Sequence, residues 1–284
     1  MHNYKYIHNK DIHNYNDIQN KKDIHNKNVM HSNNIDNIKW KGFKQVKVFK
    51  IVQEDENVKS FYIKNEDDSK LPEFIAGQFI AVRVKNEDGT YTKPRQYTLS
   101  LNYNEDYYRI SVKRESEGYL SKILCDTINE GDNIEISVPM GKFILKESEK
   151  PLVLLGGGIG ITPMVTMAYD SLDAERDIHF IYSIPNSKNH SFREEIEDLT
   201  QNERINKKIF YTRPVESDVE GKDFDIKGRI SKEWIKENLP LDGEFYFCGP
   251  VPFMKALYDN LVDLGVEKDR INYELFGPGA DFNK

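Results

Sequence analysis

Residues Arg95–Ser100 read RQYTLS, a permanent cation two positions ahead of an aromatic ring in a strand-forming run. Side chains of a strand alternate between faces, so Arg95 and Tyr97 point one way while Gln96 and Thr98 point the other. One ligand could meet both Arg95 and Tyr97. Taken alone, the pair equally describes an exposed arginine beside a half-buried tyrosine. A second stretch, GGGIGITPM from Gly156 to Met164, follows an apolar run and opens an apolar helix. Glycines let backbone approach a bound group, and the free amides and partial positive charge of a helix start favour a phosphate. The spacing predicts Thr162 as the N-cap with Pro163 at the first helical position. The pattern departs from G-x-G-x-x-G, because Ile161 stands where the third glycine counted from Gly156 would fall. A third stretch, FYFCGPVPFM from Phe245 to Met254, sets Cys248 and Gly249 at the carboxyl end of a strand. A free cysteine is more often core than catalyst, but strand ends are where open α/β sheets hold ligands.

The elements that must position these residues fall into three stretches. Residues 1–38 are rich in Asn and His, and a loose unit recurs as KDIHN at Lys10 and again at Lys22. Isolated isoleucines cannot build a core there, so disorder is expected. His2, His8, His13, His25 and His31 have no fixed ligand spacing, and no metal site is assigned to them. Residues 39–147 are β-rich: FKQVKVFKIV, VKSFYIK, QFIAVRV, RQYTLSL, YYRISVKR and NIEISV run between turn signals such as EDGT and NEGD. Six short strands predict a closed or nearly closed antiparallel barrel. EGYLSKILCDTI reads as one helix within it, behind Gly118. The polar stretch KESEK, Lys146 to Lys150, marks a boundary. Residues 148–284 then alternate strand and helix, which predicts a parallel sheet covered on both faces.

The whole chain narrows the function classes. Its 284 residues suffice for two domains of ordinary size. A formal charge of −7 supplies no positive field for nucleic acid or an anionic membrane, and neither partner is expected. Two cysteines, Cys125 and Cys248, argue against a disulfide scaffold and are too few for a tetracysteine cluster. No apolar run is long enough to cross a bilayer and the amino terminus lacks a secretory core, so a cytoplasmic protein is expected.

RQYTLS, ESEGYLS, PMGKF, GGGIGITP, FYFCGPVPFM and YELFGP, in this order over residues 40–278, together resemble the ferredoxin–NADP reductase superfamily, most of all the reductase portion of flavohaemoglobins. The resemblance implies a six-stranded antiparallel Greek-key barrel that binds FAD, followed by a parallel-sheet domain that binds NADH or NADPH. It implies that Arg95 pairs with the FAD pyrophosphate, Tyr97 packs on the isoalloxazine with Gln96 beside it, and Thr98 hydrogen-bonds near the hydride-accepting nitrogen. Strict alternation turns Thr98 away from Tyr97, so that role needs a twisted strand or a backbone contact. Gly118, Tyr119 and Ser121 are expected to add contacts to FAD at a helix start. Gly157, Gly158, Gly160 and Thr162 are expected to hold the nicotinamide dinucleotide, with Cys248, Gly249 and Pro250 beside the nicotinamide. Phe276 resembles the aromatic that covers the flavin, and Glu274 the acid near the reacting atoms. Ile159 stands where many relatives have a threonine, and a Gly-Pro-containing tail follows Phe276.

The activity this implies is a hydride passed from NAD(P)H to FAD, then electrons passed to a separate acceptor, either another protein or a small molecule. A globin needs more than twice the 38 residues that precede the barrel, so the acceptor is expected to be a globin, iron–sulfur or other redox protein outside this chain. A non-catalytic flavin- and nucleotide-binding redox sensor, or an electron-transfer subunit of a larger complex, is the competing reading, and the presence of Tyr97, Thr98, Cys248 and Phe276 around one implied cleft favours an enzyme. Lys188 and Arg193, without an acid beside them in PNSKNHSFR, leave NADPH open.

Overall fold

The computed structural model describes residues 40–276, and the expectations for residues 1–38 lie outside them. Two six-stranded sheets carry the chain. The first comprises β1 (Lys44–Gln53), β2 (Val58–Lys64), β3 (Phe79–Arg83), β4 (Arg95–Thr98), β5 (Tyr108–Lys113) and β6 (Asn133–Ile136), in the order β4-β3-β6-β1-β2-β5 with every pair antiparallel. Alternation explains its interior: Val46, Val48, Ile80, Val82, Ile110, Val112, Ile134 and Ile136 recur at period two and form one apolar core. The ends of the row meet just past β4, where Leu99 bridges Ile110 and the Ser100 amide donates to the Arg109 carbonyl at 2.9 Å. That contact curls the sheet into the expected barrel. Helix α1 (Leu120–Thr127) buries Leu120, Leu124 and Cys125 on the barrel core, an i, i+4 stripe.

The second sheet comprises β7 (Leu152–Gly157), β8 (Ile178–Ile184), β9 (Ile205–Tyr211), β10 (Ile226–Lys227), β11 (Glu244–Cys248) and β12 (Ile271–Glu274). Its order is β10-β9-β8-β7-β11-β12 and every pair is parallel. β7, β8 and β11 are almost wholly buried because helices cover both faces. On one face Leu152, Leu154, Phe180 and Tyr182 pack with α2 (Ile161–Asp170) and α3 (Arg193–Leu199). On the other, Val153, Leu155, Phe245 and Phe247 pack with α4 (Lys232–Asn238) and α5 (Val251–Asp263). Each such side chain contributes about 1.5–3 kcal/mol on full burial. Strand order reverses between β7 and β11, which makes the carboxyl ends of those two strands the switch point where a ligand fits.

The halves share apolar surface: Ala76 and Phe143, from the barrel half, belong to the α2-side core of the parallel sheet. Among the described residues no helix is long and apolar enough to cross a membrane, and no cluster of three His, Cys, Asp or Glu is placed to hold a metal.

Candidate functional site

A cavity of ≈ 670 Å³ opens between the halves, within the ordinary range for a small-molecule site. Arg95, Gln96, Tyr97 and Thr98 line it, with Gly118, Tyr119 and Ser121 from the approach to α1. Ile159 and Thr162 come from the β7–α2 turn, and Glu274 and Phe276 from the end of β12. Ten of the sequence-derived residues thus meet at one hollow: Arg95, Gln96, Tyr97, Thr98, Gly118, Tyr119, Ser121, Thr162, Glu274 and Phe276.

All four residues of β4 line the cavity, although alternation divides them between two faces. β4 is an edge strand paired only with β3 along its length, so a hollow can wrap around it. Tyr97 is half-buried against the barrel core, and Thr98 is buried with its Oγ1 lacking a hydrogen-bond partner. A buried hydroxyl without a partner costs free energy unless a ligand satisfies it. Burial pushes the Tyr97 phenol well up, so it stays neutral. Arg95 has no carboxylate partner among the described residues; its Nη1 donates only to the Pro94 carbonyl, at 3.0 Å.

At Gly118 an added Cβ would lie 2.2 Å from Ser121 Oγ, so only glycine lets these two groups stand together at the start of α1. Ser121 Oγ in turn accepts from the Glu115 amide at 3.3 Å.

The glycine turn differs from expectation in one respect. Thr162 is not the N-cap of α2: a turn of 3-10 helix, Gly158–Gly160, precedes the helix, Gly160 takes the cap position and the helix begins at Ile161. Thr162 Oγ1 instead donates back to the Ile159 carbonyl at 3.0 Å. The cause is packing against the neighbouring strand. A Cβ at Gly160 would stand 2.2 Å from the Cys248 carbonyl oxygen and 2.6 Å from the Gly249 amide, so the turn is pressed onto the end of β11. Gly158, by contrast, has φ +53° with open space around its would-be Cβ.

Gly157, Gly158, Gly160, Cys248, Gly249 and Pro250 do not line the cavity. They form its neighbouring rim, where the ends of β7 and β11 touch and where Cys248 pairs in register with Glu274. Cys248 is fully buried, and burial, with the Glu274 carboxylate adding to it, pushes its thiol well above the ordinary range. It is a neutral thiol rather than a thiolate nucleophile. Burial raises the Glu274 carboxyl to about 7, and its Oε2 has no partner. Phe276 is 38% exposed, a lid-like ring rather than a core aromatic.

Sequence reasoning missed Ser111 and Lys113, which also line the cavity. The signal was present in YRISVK. Tyr108, Ile110 and Val112 alternate toward the barrel core, while Arg109, Ser111 and Lys113 occupy the intervening positions. Both faces of the strand are buried down to Val112, so its polar face is covered by the other half of the molecule.

The residues fit the flavin and nucleotide that the resemblance implies. An uncommitted cation, an orphaned hydroxyl and a glycine cradle face one hollow, beside a helix start of the kind that favours phosphate.

Comparison with known proteins follows the same division. Residues 45–144 match the oxidoreductase FAD-binding domain family and residues 154–259 the oxidoreductase NAD-binding domain family. A flavohaemoprotein of Bacillus thuringiensis subsp. konkukian is 42% identical over 251 residues, covering 85% of this chain and 62% of the relative. The match thus spans less than two thirds of that protein. Among solved structures, the flavohaem-like FAD/NAD binding domain of nitric oxide dioxygenase from Vibrio cholerae superposes with a TM-score of 0.75 at 30% identity, over 83% of this chain and 99% of that one. Flavohaemoglobin from Malassezia yamatoensis, with bound FAD and haem, gives 0.73 at 27% identity over 83% and 60%.

Proposed function

The chain belongs to the ferredoxin–NADP reductase superfamily as an FAD- and NAD(P)H-dependent oxidoreductase, and from that premise we propose that it oxidises NADH and delivers the electrons to a separate redox protein, a globin being the first candidate. FAD, when bound, would supply the hydride acceptor. The observation that carries the reading is that Thr98 and Glu274 each leave a buried oxygen without a partner among the described residues, and both line one cavity.

The roles follow from the chemistry of each group. Arg95 would neutralise the pyrophosphate with a guanidinium that no carboxylate among the described residues holds. Gly118 would let the phosphate reach the start of α1, with Ser121 and Tyr119 beside it. Tyr97, a neutral phenol, would lie against the ring system, Gln96 would flank it, and Thr98 Oγ1 would meet the flavin's polar edge. Gly157, Gly158, Gly160 and Thr162 would shape the turn that carries the nucleotide phosphates, with Gly249 and Pro250 at its side. Cys248 would flank the nicotinamide as an uncharged wall. Phe276 would cover the ring and exclude water, and Glu274 would hold a proton near the reacting atoms around neutral pH.

NADH is favoured over NADPH because the two cations after β8 are engaged. Arg193 pairs with Asp223 at 2.7 Å and Lys188 with Glu56 at 3.4 Å. The Asp218 carboxylate also sits at this strand end, accepting from the Ser187 amide at 3.4 Å and the Val215 amide at 2.9 Å. A negative group there opposes a 2′-phosphate. Anaerobic addition of NADH to the flavin-loaded protein should bleach the flavin absorbance, and a subsequently added oxidised globin should restore it. A bound flavin that stays oxidised with both nucleotides would refute the proposal.

A further inference from the structure

Besides the apolar contact of Ala76 and Phe143 and the approach of β5 to the Gly158–Gly160 turn, the halves of the molecule meet at a polar place. Arg109 of β5, 3% exposed, points its guanidinium out of the barrel and into the other half. Its Nη1 and Nη2 donate to Glu195 Oε2 and Oε1 of α3 at 2.6 and 3.0 Å, the two-pronged geometry of a strong pair. Two further bonds hold it to the barrel: Nε reaches Ser100 Oγ at 3.2 Å and Nη2 the Ser100 carbonyl. Tyr169 of α2 stands close enough to Glu195 for the carboxylate to add to burial in raising its phenol, and the Phe192 ring stands under the guanidinium with its centroid at 5.0 Å.

Around this pair the tip of the β1–β2 hairpin grips the segment that leads from β8 to α3. The Ser191 hydroxyl donates to Asp55, and the Glu56 amide donates to the Lys188 carbonyl at 3.2 Å. That segment follows β8 at the sheet end where the dinucleotide binds. From the other side of Arg109 a hydrogen-bond chain leads to the flavin cavity: Ser100 Oγ meets Ser111 Oγ at 2.8 Å, and Ser111 lines the hollow.

A buried ion pair with fixed geometry adds to these attachments a constraint on angle, because its two parallel hydrogen bonds tolerate little rotation. We propose that Arg109 and Glu195 are positioning residues that lock the nucleotide half at the angle which brings nicotinamide and flavin into reacting distance. This role rests on the reductase reading above. Neither side chain lines the cavity, so the pair acts on the geometry of the reaction and not on flavin affinity. Hydride transfer is steeply sensitive to such geometry, a misplacement of about 1 Å costing up to about a hundredfold.

The test uses the full chain loaded with FAD. Removing one partner alone risks the fold, so the decisive variant replaces both with apolar groups of similar volume, Arg109→Met with Glu195→Leu, a change that buried pairs commonly tolerate. The expected result is a parent-like flavin affinity and unfolding midpoint, with a rate of flavin bleaching at saturating NADH lowered about tenfold or more. The long-wavelength charge-transfer absorbance of stacked flavin and nicotinamide should weaken with it, a signal that a merely structural role would not move. Glu195→Gln, which keeps the shape and one accepting oxygen, should slow the rate by a smaller factor, and it decides the matter if the double variant does not fold. Bleaching at the parent rate in a folded variant overturns the positioning role alone, as does loss of FAD affinity in the double variant. A parent whose flavin NADH never bleaches overturns the reductase reading as well.

Discussion

Two arginines of the barrel, fourteen positions apart, meet opposite fates. Arg109 is buried and clasped by Glu195 and Ser100 through four hydrogen bonds. Arg95 lies at the mouth of the cavity and donates only to the neighbouring carbonyl of Pro94. The same division runs through the surrounding polar groups: Ser60, Ser100 and Ser111 satisfy one another at 2.8 Å, while Thr98 Oγ1 and Glu274 Oε2 are left without partners. Polar groups that complete each other hold a fold, and polar groups left incomplete in a hollow hold a ligand.

The comparison breaks first on stability. Arg109→Ala leaves the Glu195 carboxylate buried and unpaired, which should destabilise the protein by about 3–5 kcal/mol. Arg95→Ala, at an exposed site, should change stability by no more than about 0.5 kcal/mol. Urea unfolding of both variants measures the difference, and equal losses would show that the two arginines are not distinguished as argued.

Flavin affinity should show the reverse order. A charged hydrogen-bond donor to pyrophosphate contributes about 1.5–3 kcal/mol, so Arg95→Ala should weaken FAD binding by about 10- to 100-fold in a fluorescence titration. Arg95→Lys should recover only part of this, since an ammonium cannot present the planar fork.

How far these sites were legible in the sequence follows the same line between local and non-local causes. The strands of both sheets could be read because period two and apolar runs are local, and VKSFYIK and IHFIYSI became β2 and β8 residue for residue. The cavity residues near Arg95 and Gly118 were legible because a short motif places each set on one element. Thr162 was misassigned as the cap, since what sets the start of α2 is the contact of Gly160 with Cys248, almost ninety positions away. Arg109 with Glu195, and Ser111 in the cavity wall, were missed for the same reason: their partners come from elsewhere in the chain, and only the i, i+2, i+4 polar set in YRISVK hinted that the outer face of β5 is covered.

Glu274 extends the comparison to pH. Burial raises its carboxyl from an ordinary 4.5 to about 7. Below about pH 4.5 it is protonated whether folded or unfolded and costs nothing. Between 4.5 and 7 the unfolded chain gives up the proton while the folded protein keeps it, so stability falls as pH rises, by at most about 1.4 kcal/mol per pH unit, and levels off above 7. Glu274→Gln should flatten that slope, read as the dependence of the urea midpoint on pH between 5 and 8.

The smallest effect concerns a third arginine, which stands between the two extremes. Arg193 is partly exposed, at 39%, and paired with Asp223, so it is committed to the protein but near enough to solvent to be recruited. An exposed ion pair holds its partners by only about 0.2–1 kcal/mol. Asp223→Asn should therefore release Arg193 toward a 2′-phosphate and improve kcat/KM for NADPH by about two- to fivefold, leaving NADH little changed. Asp223 also accepts from the Val219 amide at 2.9 Å through the other carboxylate oxygen, a bond asparagine can keep, so the loop should survive the change. If NADPH use does not rise while the variant stays folded, then Arg193 is out of reach of the nucleotide. The discrimination would then fall to Asp218, whose carboxylate is fixed by two backbone amides at the same strand end.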